Sequence, residues 1–254
     1  MLLLTPTENS TVTGKTLRPE PASAACGPTT LVRRSPPVPS TVYDTYWRFA
    51  TERQQVYFNR LSSDHGPWTS DPVLSEYKFT NAYRAADRVS QYLIREVIYS
   101  GTFDRLDTAF RILLFKVFNK IETWELLSAR FGALSTATFN VDRFDAALTE
   151  AMRAGSRIYS AAYIMPNAPR LKEGSYKHRT HLDLLKGAVQ SGLLQQLTEA
   201  TSMQQVYELL LSLPSFGPFL AYQYAVDLNY SAISEFSENE FVQPGPGALN
   251  GLKK

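Results

Sequence analysis

The sequence predicts an all-α protein, a multi-helix globule behind an N-terminal arm. Three observations carry that prediction. Apolar residues recur at helical spacing through most of the chain beyond Tyr43. No stretch alternates apolar and polar residues with the period of two that a half-buried strand needs. Several periodic stretches also end at residues suited to ending a helix, notably Gly132 and Gly155.

The first 40 residues differ in kind from the rest. They hold Pro6, Pro19, Pro21, Pro28, Pro36, Pro37 and Pro39, many serines and threonines, and no aromatic side chain. Such a segment cannot bury enough apolar surface to offset its ordering entropy, so residues 1–40 are expected to be a disordered arm. Aromatics begin abruptly at Tyr43, Tyr46, Trp47 and Phe49, which starts a helical domain over 41–254.

The elements follow in order. Thr41 to Leu61 places Tyr43, Trp47, Ala50 and Tyr57 near one face of a helix. Asn81 to Tyr99 repeats the pattern with Tyr83, Val89, Tyr92, Leu93 and Val97. Asp104 to Lys120 is apolar enough to read as a central, buried helix. Glu122 to Phe131 closes at Gly132, and Val141 to Ala154, with Asn140 as N-cap, closes at Gly155. His181 to Leu197 follows, with a break expected at Gly192. Ser202, with Gln205 three residues on, opens a helix by a capping box and runs to Leu211; another helix follows Gly217. Roughly eight short helices in this length make a globule rather than a long coiled coil.

Charge narrows the function classes. The chain has 26 basic and 24 acidic residues; without the arm's four basic and two acidic ones, 22 of each remain. A neutral domain does not rely on diffuse attraction to phosphates, so any nucleic-acid contact must come from local patches. The one cysteine, Cys26, allows no intrachain disulfide and no cysteine zinc site. The opening apolar run is too short for a signal peptide, and no stretch is long enough to span a membrane. No metal and no cofactor are called for. Val12 to Thr16 ends like a phosphate-binding loop, but Asn9 stands where the earlier glycine belongs and no apolar strand precedes it, so the match is coincidental.

Three stretches carry chemistry. In Leu209 to Ala221 a helix runs into a tight turn, Leu213-Pro214-Ser215-Phe216-Gly217, and a second helix starts at once at Pro218. Proline suits the first helical position, and the helix start exposes backbone N–H groups to an anion. An ordinary helical hairpin has the same outline. In Glu76 to Arg88, Lys78, Arg84 and Arg88 interleave with Tyr77, Phe79 and Tyr83. On one continuous helix, Arg84 and Arg88 would share a face, suited to a phosphate and a stacked base. The alternative is a solvated face on which Arg84 pairs with Asp87. In Phe115 to Trp124, Asn119 or Thr123 would cap a helix junction. Glu122 lies between Phe118 and Trp124, where burial would raise its pKa.

The hairpin turn resembles the helix-hairpin-helix of the DNA glycosylase superfamily, through Leu213, Pro214, Phe216, Gly217 and Ala221. The region from about Tyr46 to Lys254 resembles the helical family that includes the α-glutamyl/putrescinyl-thymine pyrophosphorylases and the helical domain of 5-hydroxymethyluracil DNA kinases. The residues that carry it are Tyr77 to Asn81 with Arg84, Asp87 and Arg88; Phe118-Asn119-Lys120 with Glu122-Thr123-Trp124; Leu213 to Gln223; Asp227 to Tyr230; and Gly245 to Ala248. The resemblance implies a glycosylase-like all-α fold. It also implies hypermodification of DNA, in which an amine or amino acid replaces pyrophosphate on a phosphorylated 5-hydroxymethyluracil.

Carried onto this chain, the resemblance makes Lys78, Asn81, Arg84, Arg88, Asn119, Lys120 and Trp124 substrate-binding candidates, with Tyr77 and Tyr83 as further stacking platforms. Ser215, Phe216, Gly217 and Pro218 would meet DNA, Gly217 at a backbone position closed to side chains. Glu240, Glu122 and Asp227 compete as the catalytic acid, and counting on from the hairpin favours Glu240. The implied partners are DNA carrying a modified pyrimidine and a small amine or amino-acid donor, inside the cell. No kinase motif is present, and family members usually continue beyond the point where this chain stops, so a truncated C-terminus is expected. A non-catalytic DNA-binding module, a glycosylase-like excision enzyme and a helical scaffold remain the alternatives.

Overall fold

The computed structural model describes residues 38–161, 165–166 and 176–252. The expected arm, but for its last residues, and the Val12 to Thr16 match lie outside the described residues. In chain order the helices are α1 (Tyr43–Ser62), α2 (Pro72–Glu76), a short 3-10 turn (Arg84–Ala86), α3 (Arg88–Tyr92) running directly into a π-helical turn (Leu93–Ile98), α4 (Arg105–Phe118), α5 (Ile121–Phe131), α6 (Val141–Arg153), α7 (Lys177–Gln190), α8 (Leu193–Glu199), α9 (Met203–Leu211), α10 (Pro218–Leu228) and α11 (Pro246–Leu252). No strand occurs among the described residues, so the all-α prediction holds.

The molecule is built around α4. From Ala109 to Phe118 every residue is buried, including Arg111 and Lys116. The π-helical turn, α7, α8 and α10 pack on it. Asp104 starts the helix by accepting the Asp107 N–H at 2.7 Å, which satisfies one of the donors left open at a helix start. Asn119 ends it in the left-handed conformation, φ 47°. Arg111 is a structural cation. It donates to the carbonyls of Val97 at 2.8 Å and Leu134 at 3.0 Å, and lies 3.7 Å from the Phe103 ring centroid. Burial pushes its pKa down to about 10.

The expected caps appear. Asn140 accepts the Arg143 N–H at 3.0 Å, and Ser202 accepts the Gln205 N–H at 3.1 Å. In the second box the Gln205 side chain reaches back to the Thr201 N–H rather than to Ser202. Gly132 and Gly155 have φ of 75° and 88°. The break expected at Gly192 is there, separating α7 from α8.

Two expectations change. The helix foreseen over Asn81 to Tyr99 is broken at Asp87, whose backbone is extended, φ −67° and ψ 145°. The break is held by side chains: the Asp87 carboxylate accepts the Asn81 N–H at 3.0 Å, and Asn81 Nδ2 donates to the Ala86 carbonyl at 2.8 Å. The aromatic stripe at the start of α1 also stays uncovered by the rest of the described chain, and no residue of α1 is buried. That helix is tied on by polar contacts, from Arg53 to the Thr80 carbonyl and from Asn59 to the Trp68 carbonyl.

Candidate functional site at Asp227

Three elements meet at one carboxylate. α9 and α10 pack on each other across the Leu213 to Gly217 turn, and α10 carries the half-buried Gln223 and the buried Asp227. The C-terminal end of α4 brings Lys116 and Asn119. The 3-10 turn at Arg84 closes the group from outside. Asp227 is 1% exposed. Arg84 Nη2 lies 2.5 Å from its Oδ1, and Lys116 Nζ lies 2.7 Å from its Oδ2. Arg84 also donates to the Gln223 side chain and, at 3.1 Å, to the Gln223 carbonyl. Lys116 Nζ is 3.3 Å from Asn119 Oδ1.

Such a cluster would be expensive to bury unpaired, and two cations on one carboxylate answer that cost. Burial lowers the Lys116 pKa, against the raising effect of Asp227. Burial raises the phenols of Tyr222 and Tyr230, which lie in the field of Arg84 and Glu238. The group reaches the surface through Arg84, whose side chain is 27% exposed. Its chemical capacity is to hold an oriented guanidinium at the surface, fixed by a buried carboxylate and an amide.

The break at Asp87 sends Arg84 and Arg88 to different places, so they do not share a helix face. Arg84 pairs with Asp227, while the Asp87 carboxylate serves Asn81. Arg88 is exposed at the start of α3. Lys78 is exposed and has neither hydrogen bond nor ion pair among the described residues. The burial expected of Glu122 is absent: in the first turn of α5 its side chain is 65% exposed, 3.8 Å from Lys120. Trp124 is buried edge-on against Phe115 rather than offered as a platform, whereas Tyr77 and Tyr83 are exposed. Thr123 donates to the Ile158 carbonyl at 2.8 Å. Glu240 is exposed in a turn closed by its N–H to the Ser237 carbonyl.

The hairpin departs from expectation in one detail. Gly217 has φ −92°, an ordinary extended value, and a Cβ added there meets no atom within 4 Å. Neither backbone strain nor an internal neighbour requires glycine. The left-handed residue of the turn is Ser215, φ 69°. Phe216 is buried edge-on against Tyr224, and Pro218 takes the first position of α10.

Sequence reasoning missed Lys116 and Gln223. A lysine flanked by Phe115 and Val117 in the apolar second half of a helix read as buried was the available signal, because a buried ammonium must find a partner. Gln223 gave none. Among the described residues no cluster of acidic, histidine or cysteine side chains could hold a metal, and no helix is long and apolar enough to cross a membrane.

A family model described as 5-hmdU DNA kinase, helical domain, matches residues 40–254. A curated relative, a 5-hmdU DNA kinase of Bacillus phage SP10, is 28% identical over 243 residues, covering 87% of this chain and 37% of that protein. The chain therefore spans well under half of the relative it matches. No solved structure matches it.

Proposed function

The chain belongs to the family of the 5-hmdU DNA kinase helical domain, and from that premise we propose that it acts in DNA thymine hypermodification, on DNA that carries a modified pyrimidine inside the cell. The finer proposal is amine transfer. An amine or amino-acid nitrogen bonds to the exocyclic methylene of a pyrophosphorylated 5-hydroxymethyluracil as its C–O bond breaks. Pyrophosphate leaves with the electron pair, and the amine surrenders a proton.

One observation supports this most: Arg84 stands at the surface, oriented by Asp227, which is itself seated with Lys116. An oriented guanidinium stabilises charge developing on leaving phosphates better than a mobile one. Asp227 lies on the helix that the hairpin launches, about 15 Å along the axis from Gly217 at 1.5 Å per residue. A DNA backbone docked on Ser215 to Pro218 in the manner of helix-hairpin-helix glycosylases would thus be linked rigidly to the cluster. Lys78 and Lys120 would add charge, and Glu240 and Glu122 are the exposed acids to take the proton. Flipping the base out of the duplex would cost a few kcal/mol.

One observation favours the runner-up, a binding module without catalysis: Asp227, the acid that the described residues draw into the cluster, is already engaged by two cations. Mass spectrometry of nucleosides from pyrophosphorylated hydroxymethyluracil DNA, incubated with the protein and amine donors, separates the two. Aminated nucleoside with released pyrophosphate is expected. Tight DNA binding with no new nucleoside, from any donor, would leave the binding module.

A further inference from the structure

A second basic concavity lies on the far side of the 84–88 break. Between α1 and the segment leading to α3 is a cavity of about 570 Å³, whose wall includes Arg53, Arg60, Arg88, Tyr57, Tyr77 and Phe79. Arg84 faces Asp227, whereas Asp87 and Arg88 face this cavity, so it is distinct from the cluster described above. Its volume suits a ligand of mononucleotide size.

Its charge is unbalanced. Three arginines line it against one carboxylate, Asp87, whose Oδ1 is taken by the Asn81 N–H. Arg60 lies 5.0 Å from the Trp68 ring centroid and, like Arg88, has no carboxylate partner among the described residues. Arg53 is fixed by the Thr80 carbonyl at 2.5 Å and lies 5.3 Å from the Phe49 ring centroid, yet its Nε is buried with no acceptor. An orphaned guanidinium donor, two uncompensated guanidinium groups and three aromatic side chains in one wall are complementary to an anion joined to a flat ring.

We propose that this cavity binds a nucleotide, its phosphate between Arg60 and Arg88 and its base against the aromatic wall. The nucleotide is either free or part of a single strand, the chemistry being the same. The site does not depend on the transfer reaction at Asp227.

The test uses the full chain, with thymidine monophosphate, thymidine, inorganic phosphate and a short oligothymidylate as probes in calorimetric titrations. Thymidine monophosphate should bind more tightly than thymidine or phosphate alone, and Arg60→Gln and Arg88→Gln should each weaken it about tenfold, the loss of one charged contact. Unchanged melting temperatures would show that both variants are folded. If Arg60→Gln weakens the oligonucleotide equally, the strand is the source; if it weakens only the mononucleotide, the free nucleotide is. Binding of neither probe, or variants that bind as the parent does, would overturn the proposal. Transfer activity that persists in an Arg60→Gln protein unable to bind nucleotide would show that the two sites are independent, whereas transfer by a parent protein that binds none of the probes would reject the cavity alone, leaving the Asp227 reading intact.

Discussion

At Asp227 one side chain couples stability to the proposed chemistry. Replacing it by Asn leaves Arg84 and Lys116 facing a neutral amide, and breaking a buried pair from one side costs about 3–5 kcal/mol. For a domain of this size that is roughly a 10 °C fall in melting temperature. Lys116→Met should cost less, because it removes a desolvated ammonium and keeps the Arg84 pair. Thermal denaturation followed by circular dichroism checks both, and an Asp227→Asn protein that melts with the parent would show that the cluster is not a structural unit. Arg84 separates the roles further. Arg84→Ala should depress transfer far more than DNA binding, since the contact strengthens as charge develops. Arg84→Lys should rescue it only in part, because a point charge cannot serve both Gln223 and Asp227 as the planar fork does. Equal losses in turnover and in binding affinity would place Arg84 in DNA binding alone.

Among the elements, the α7–α8 joint needs its glycine for the backbone and the α9–α10 hairpin does not. Gly192 has φ 76° and open space around it, so only the backbone demands glycine. Alanine there should cost about 1–2 kcal/mol by forcing a left-handed L-residue. Gly217 has neither strain nor a close neighbour, so Gly217→Ala should cost less than about 1 kcal/mol, the size of a helix-cap change. Urea denaturation of the two variants tests that order. Gly217→Glu should also fold, yet weaken DNA binding by putting bulk and negative charge at the α10 N-terminus. Unaltered fluorescence anisotropy with labelled DNA would move the DNA contact away from the hairpin.

For the whole molecule, acid should be the weak side. His178 and His181 are both buried on α7 and tie it to other segments. His178 Nε2 is 3.0 Å from Asp145 Oδ1 on α6. His181 Nδ1 is 2.7 Å from the Tyr159 hydroxyl, and its Nε2 is 3.0 Å from the Pro166 carbonyl. Burial lowers the pKa of both. The unfolded chain therefore takes up these protons first, so stability is lost as pH falls below the unfolded value of about 6.5, until the folded groups also titrate. Melting temperatures measured from pH 8 to pH 5 should decline below that point, and less steeply in His181→Gln. A flat profile would mean that both imidazoles titrate alike in the two states.

The sequence by itself determined most of the longer helices and two of their caps, though not the short α2 and α11, because periodicity and capping are local: Asn140, Ser202 and Pro218 act on residues within a few positions of themselves. Through the family resemblance it also named both Arg84 and Asp227 as candidates, which the fold brings into contact. Only the tertiary structure decided which charges meet. Asn81 and Asp87 break what periodicity read as one helix, turning Arg84 toward α10 and leaving Arg88 at the surface. Burial works the same way: Glu122 has apolar neighbours in sequence yet points to solvent, while Lys116, within an apolar run, meets a carboxylate from a helix more than a hundred residues on. Pairing of that kind is set by packing between distant elements, and no local pattern encodes it.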